Sequence, residues 1–261
     1  MYDDTTGRPL PGVTVSVLEA GGVQPAATIE ATTDSRGRYR LAIVAGPARL
    51  RIARGGYTGL WRDANVVADA VTTPLDARLS PLGAGSAITR RDGGSVALPD
   101  GSARVDVGPG ALAGDASLSL TSLSGQALPA ALPLGWSPVA VLDVTTGGVP
   151  LTAPITVELA DPSAGTAGVA IALRYDVAAR VWRRSALEPA AAAGRVRVLM
   201  DAPTALAIAR ADVAPAAPPI PLEGATLSGV APQSLPPIAV VDLTPSPRIV
   251  FAGPSARADV A

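Results

Sequence analysis

The densest run of groups able to do chemistry is DSRGRYRLAIVAGPARLRIARGGY, residues 34–57, with six arginines between Arg36 and Arg54. Guanidinium groups at this density suit anions, because each offers a planar fork of donors. Other reactive types are scarce. The 261-residue chain has no His, no Cys and, since all 21 basic residues are Arg, no Lys. This removes the commonest general base and metal ligand, the thiolate nucleophile and the Schiff-base amine. It also excludes Lys-to-Asn isopeptide crosslinks. Asp, Glu, Tyr, Ser and Thr remain. A glycosidase-type carboxylate pair would be one use for them. Yet Asp3, Asp4 and Asp100 fall in turn signals, where Asp is ordinary. No loop has the Asp density of a calcium site. The sequence predicts no catalytic residue, no cofactor and no metal ligand, and the chain is read as a non-enzyme.

The arginine run has a plainer reading. Tyr39, Leu41 and Ile43 alternate with Arg38, Arg40 and Ala42, and Ala48, Leu50 and Ile52 alternate with Arg49, Arg51 and Ala53. Period two predicts two half-buried strands joined by a hairpin at Val44–Pro47. Pairing Leu41 with Leu50 puts Arg40 opposite Arg51, where like charges repel. An acid on a neighbouring strand, a bound anion or solvent must screen them. Net charge is −1, and residues 1–83 hold 9 Arg against 8 acids, so no field attracts a polyanion. Aromatic platforms between the arginines are missing too, which argues against nucleic acid. Arg40 and Arg51 stay as candidate partner contacts.

The elements around these residues follow from composition. The chain is 48% hydrophobic and only 3% aromatic, so its cores are aliphatic. With 27 Gly and 26 Pro, the chain is punctuated too often for long helices and favours short strands. Strands are expected at 13–17, 26–32 and 71–79, then at 103–107, 138–144, 154–160, 169–175, 194–200 and 204–210. The expected fold is all-β: two tandem antiparallel β-sandwich domains, 1–83 and 84–212, followed by a Pro-rich tail over 213–261. Trp136 and Trp182 are the notable side chains of the second domain. A Trp at a loop tip could stack on sugar or a partner, while one at a hairpin plugs a core. Trp136 is kept as a candidate contact. No run reaches the length of a membrane span. Met1 is followed directly by YDDTTG, without the basic and apolar regions of a signal peptide.

TGRPLPGVTVSV, then TTDSRGRYRLAIVAGPARLRIARGGYTG, then LDARLSPL resembles the carboxypeptidase regulatory-like domain family. The resemblance implies a small transthyretin-like sandwich serving as a spacer, folding aid or contact module. The family opens with a strand before the position of YDDTTG, and Met1 stands where its last residue would be. Either the sequence is truncated at that point or the sandwich lacks an edge strand; a missing strand would leave backbone groups unpaired beside an apolar groove that another chain could fill. Further on, GG-x-V-x-LPDGS, VDVGPGAL, PVAVLDVTTGGVPLTAPITVEL and RYDVAARVWRRSA resemble the ZU-type domain of netrin receptors and ankyrins. Some relatives cleave themselves before a Ser at a His-containing motif; with no His, that activity is not carried over.

In the tail, IAVVDL (238–243) and RIVF (248–251) read as short apolar strands behind a Pro-rich link. Ile238, Val240, Ile249 and Phe251 are candidate partner contacts, since such strands need a sheet edge to join. The reading is a non-catalytic structural or interaction module of a large secreted bacterial surface protein, with LPLGWSP resembling an Rhs-type setting. Its partners would be protein, either the rest of a longer chain or neighbouring copies, in an extracellular or cell-surface location. One alternative is a filament subunit whose tail donates a strand to a neighbour. Another is a carbohydrate-binding module.

Overall fold

The computed structural model describes residues 1–133, 135–161, 170–186 and 194–212. The described residues contain sixteen strands and no helix. The tail strands and their residues Ile238, Val240, Ile249 and Phe251 lie outside the described residues.

The N-terminal part is built from β1 (Tyr2–Asp3), β2 (Thr14–Ala20), β3 (Glu30–Thr32), β4 (Gly46–Ala53), β5 (Leu60–Val66) and β6 (Arg78–Leu79). Four of these form an antiparallel sheet in the order β3-β2-β4-β5, while β1 and β6 pair in parallel as a separate ribbon. The strands bury alternate residues: Val15 and Val17 from β2, Leu50 and Ile52 from β4. They meet Met1, Leu10, Ala77 and Leu79 in one core.

The predicted hairpin does not form. β4 pairs with β2 and β5, so Arg51 stands opposite Ser16 and Trp61, not opposite Arg40. Residues 38–44 alternate in burial but pair with no strand among the described residues. Alternation reports which face is buried, not which strand lies alongside, and the misplaced pairing follows from that. The strand expected at 71–79 shrinks to β6 for the same want of a neighbour.

The remaining strands are β7 (Gly85–Ile88), β8 (Gly94–Ala97), β9 (Ala103–Val107), β10 (Ala116–Ser122) and β11 (Trp136–Thr145), followed by β12 (Ile155–Ala160), β13 (Ala170–Asp176), β14 (Val181–Ser185), β15 (Arg195–Met200) and β16 (Ala205–Ala211). They form a sheet ordered β14-β13-β16-β11-β10-β7 and a second ordered β15-β12-β9-β8, all antiparallel. Between the sheets lies an aliphatic core with Leu118, Leu142, Val157, Met200, Leu206 and Ile208. On the outer face of the larger sheet, Ile171, Leu173, Ala207 and Ala209 make a further apolar cluster with Leu123, Leu128 and Leu132 of the long β10–β11 connection. β16 is therefore buried on both faces, which is why ALAIARA reads as an almost unbroken apolar run.

Candidate functional site

Two places stand out: the seam where the two parts of the chain meet, and the unpaired stretch at the far side of the N-terminal part.

The seam centres on Tyr175 of β13, whose ring is buried at 2% exposure. Trp61 of β5 approaches it from the N-terminal part at 5.4 Å between centroids. Trp182 of β14 approaches from its own sheet at the same 5.4 Å, edge to face. Both geometries suit the ring quadrupole. Burial pushes the Tyr175 hydroxyl up to about 12, so it stays neutral at any ordinary pH. The Trp182 indole N–H donates to Ala130 O at 3.0 Å, and the Trp61 main-chain N–H donates to Pro129 O at 2.7 Å. The 124–132 stretch is thus pinned between the two parts. Arg62 adds to this, its guanidinium donating to Leu128 O and Gln126 O, both at 3.2 Å. Burial lowers its affinity for the proton.

Beside the rings runs an ion-pair chain. Arg49 of β4 binds Asp63 of β5 at 2.6 Å and Glu19 of β2 at 3.3 Å. Glu19 also accepts from Arg180 at 3.1 Å. The hydrogen bond to Asp63 is the main cause that holds the Arg49 guanidinium above its ordinary range. Glu19 and Asp63 thus pair with Arg49, whereas Arg40 and Arg51, for which a screening acid was expected, are exposed and make no ion pair among the described residues. Arg180 sits in the β13–β14 turn with φ of 57°, a left-handed conformation that non-glycine residues seldom adopt. That turn carries its side chain across to Glu19. A second tether joins Asp4 to Ser124, whose hydroxyl donates at 2.5 Å, and to Ser80, whose hydroxyl donates at 2.8 Å. The connection itself is tight: Gly83 N–H donates to Thr121 Oγ1 at 2.9 Å, and a Cβ on Gly83 would come within 2.0 Å of Leu120 O.

The second place is residues 38–44. Tyr39, Leu41 and Ile43 are half-buried against the N-terminal core, while Arg40, Ala42 and Val44 are exposed. Among the described residues, no backbone hydrogen bond reaches 39–45. Residues 68–76 likewise make no backbone-to-backbone bond. The exposed large apolar side chains include Val44, Val67, Val71 and Leu75, all in or beside these two stretches. Met1 lies between their ends. Its ammonium donates to Gly37 O at 2.7 Å, while Tyr2 N–H donates to Ala77 O at 3.0 Å. Burial lowers the pKa of that ammonium, against the pull of Asp76 and Asp34. The Tyr39 hydroxyl is buried without a hydrogen-bond partner, and burial, then the charge of Asp76, raises its pKa.

The structure brings none of Trp136, Arg40 and Arg51 together. Trp136 opens β11 opposite Ala211 and packs on the outer-face apolar cluster. Arg51 is exposed within β4, and Arg40 is exposed on the unpaired stretch. Arg183, beside Trp182, binds Asp176 at 2.7 Å. No set of three or more acidic side chains among the described residues is placed to hold a metal. Asp143 of β11 is the strongly perturbed acid, pushed up to about 6 by burial. Its register neighbours, Thr121 and Ala205, do not ionise near neutral pH, so no acid–base pair forms there. Sequence reasoning missed Trp61, Arg62, Tyr175, Glu19 and Arg180. A signal was available: the chain has 3 Trp, 4 Tyr and 1 Phe, and three of these eight rings meet at the seam.

No curated protein matches the chain. A family model does match its N-terminal part: residues 2–80, the span that carries β1 to β6, match the carboxypeptidase regulatory-like domain.

Proposed function

We propose that this chain is a non-catalytic spacer and interaction module: two β-sandwich domains, 1–83 and 84–212, held at a fixed angle within a larger secreted bacterial surface protein. The carrying observation is the seam, where the Trp61–Tyr175–Trp182 stack, the Glu19 ion pairs and the Arg62 donors join the two parts. A spacer transmits position, and a seam of this kind resists bending. The ZU-type reading of the second domain and the Rhs-type setting rest on sequence motifs. Carboxypeptidase regulatory-like domains are regulatory rather than catalytic modules, which agrees with the reading.

Small-angle scattering of the full chain, at low and at 1 M salt, tests this. A fixed pair of domains keeps one set of inter-domain distances in both, because the ring stack survives screening. A distance distribution that broadens or spreads in salt would overturn the fixed-angle reading.

A further inference from the structure

We propose that the seam is proton-linked: Asp143, on the covered face of the larger sheet between the contacts made by Trp61 and Gly83, takes up a proton as the two parts dock, so acid tightens the seam and rising pH loosens it. This rests on the seam as the join between the parts and adds a control to it.

Asp143 belongs to the face that the N-terminal part covers. Leu142 and Val144 point into the core between the sheets, so Asp143 points out of it on the same side as Val141. Its register neighbours there are Thr121 of β10 and Ala205 of β16. Arg174 pairs with Leu206, which brings the next residue, Tyr175, alongside Ala205. One row therefore runs Tyr175, Ala205, Asp143, Thr121 across four strands, about 14 Å from end to end. The N-terminal part and its link to the second hold both ends of that row. Trp61 packs on the Tyr175 ring at 5.4 Å, and Gly83 N–H donates to Thr121 Oγ1 at 2.9 Å. Asp143 lies between these two clamps.

The carboxylate is half-buried there, and its side chain makes no hydrogen bond and no ion pair among the described residues. Charged groups reach the region from several elements. Arg62 of β5 donates to Leu128 O and Gln126 O, and Asp4 accepts from Ser80 and Ser124. Arg174 of β13 pairs with Asp201 ahead of β16, and Arg180, Arg49, Asp63 and Asp176 act on Tyr175. β10 and the 124–132 connection present no ionisable side chain. None of these charges sets the state of Asp143: burial is the cause that pushes it up to about 6. That burial falls away when the covering part lifts off, and the carboxyl then returns to its ordinary range. A carboxyl whose pKa is raised in the docked state binds its proton more tightly there. The gain to docking is complete below the ordinary carboxyl range and is lost as pH rises through about 6. From pH 8 to pH 5 the docking constant should rise roughly tenfold.

The Asp143 carboxyl carbon, followed by NMR in the full chain, should titrate near pH 6 at low and at 1 M salt alike, since no ion pair sets its state. In full-length Trp61→Ala, with its seam broken, the midpoint should fall to about 4. Asp143→Asn keeps the shape and removes the charge. Protection of the Gly83 N–H, taken relative to its intrinsic exchange rate at each pH, should drop roughly tenfold from pH 5 to pH 8 in the native chain and stay level in Asp143→Asn. A midpoint in the ordinary carboxyl range in the full chain overturns the proposal. So does a midpoint that stays near 6 in a Trp61→Ala chain whose scattering distances have spread, and so does a drop in Gly83 protection that persists in Asp143→Asn. The seam itself fails differently. Scattering distances that spread at pH 5 and pH 8 alike overturn the fixed join, whereas narrow distances with an ordinary Asp143 midpoint overturn the proton linkage alone.

Discussion

The seam and the stretches 38–44 and 68–76 belong to the same N-terminal part and differ most in their ion pairs and main-chain hydrogen bonds. At the seam, the Trp182 indole and the guanidinium groups of Arg49, Arg62 and Arg180 find partners within 3.5 Å, although the Tyr175 hydroxyl and Arg62 Nε are buried without one. At the edge, on the far side of one small core, a Tyr hydroxyl lies buried without a partner and two stretches of backbone go unpaired. Burial of polar groups is cheap only when each has a partner. A small domain has little stability to spare for unpartnered buried groups. The comparison teaches that the N-terminal part is anchored to its neighbour through β2, β4 and β5, while its main chain over 39–45 and 68–76 goes without main-chain hydrogen bonds.

The comparison breaks most directly at Trp61. Trp61→Ala removes the ring shared between the parts and should cost about 3 kcal/mol. Calorimetry should then show two unfolding transitions in place of one. Gly83→Ala comes next: its methyl would strike Leu120 O, and the overpacking should cost about 2 kcal/mol, read as a lower midpoint in urea. Acid offers a weaker lever on the edge. The Asp34 carboxylate accepts from the backbone N–H of Arg38 and Arg36, which lowers its pKa and holds the turn leading into 38–44. A lowered carboxyl pKa stabilises above its unfolded value and is lost as pH falls through its folded value. The protection of the residue 35–39 amides, taken relative to their intrinsic exchange rate at each pH, should therefore fall as pH drops below the ordinary carboxyl range, before the seam loosens. The smallest effect sharpens the contrast. Tyr39→Phe removes a hydroxyl that has no partner and should be neutral, or stabilise by up to about 1 kcal/mol in thermal melts. Loss of stability there would mean that the edge is satisfied after all.

Much of the fold was legible because the aliphatic alternation was clean. Val13, Val15 and Val17, or Ala103, Val105 and Val107, state a face plainly, and the structure buries each of them. Pairing was not legible. Arg51 beside Trp61 and Ser16 could not be told from Arg51 beside Arg40, since both arrangements bury the same residues. β5 was missed because LWRDANV has only one fully buried residue, Leu60. Its Trp and Arg serve the seam instead of its own core. The seam was hidden for a related reason: Glu19 and Arg180 are 161 positions apart, and ordinary charges in a chain give no sign of a partner so distant. Arg40 was expected opposite Arg51, and its exposed place beside no strand among the described residues emerged only once the hairpin was gone.

The parallel ribbon of β1 and β6 has a mechanical consequence. Tension applied to the N-terminal part through Met1 and through Gly83 pulls on the leading end of one strand and the trailing end of its neighbour. The hydrogen bonds from Tyr2 N to Ala77 O and from Asp4 N to Leu79 O then carry the load together. Such a joint yields by sliding all its bonds at once, and not by opening them one after another.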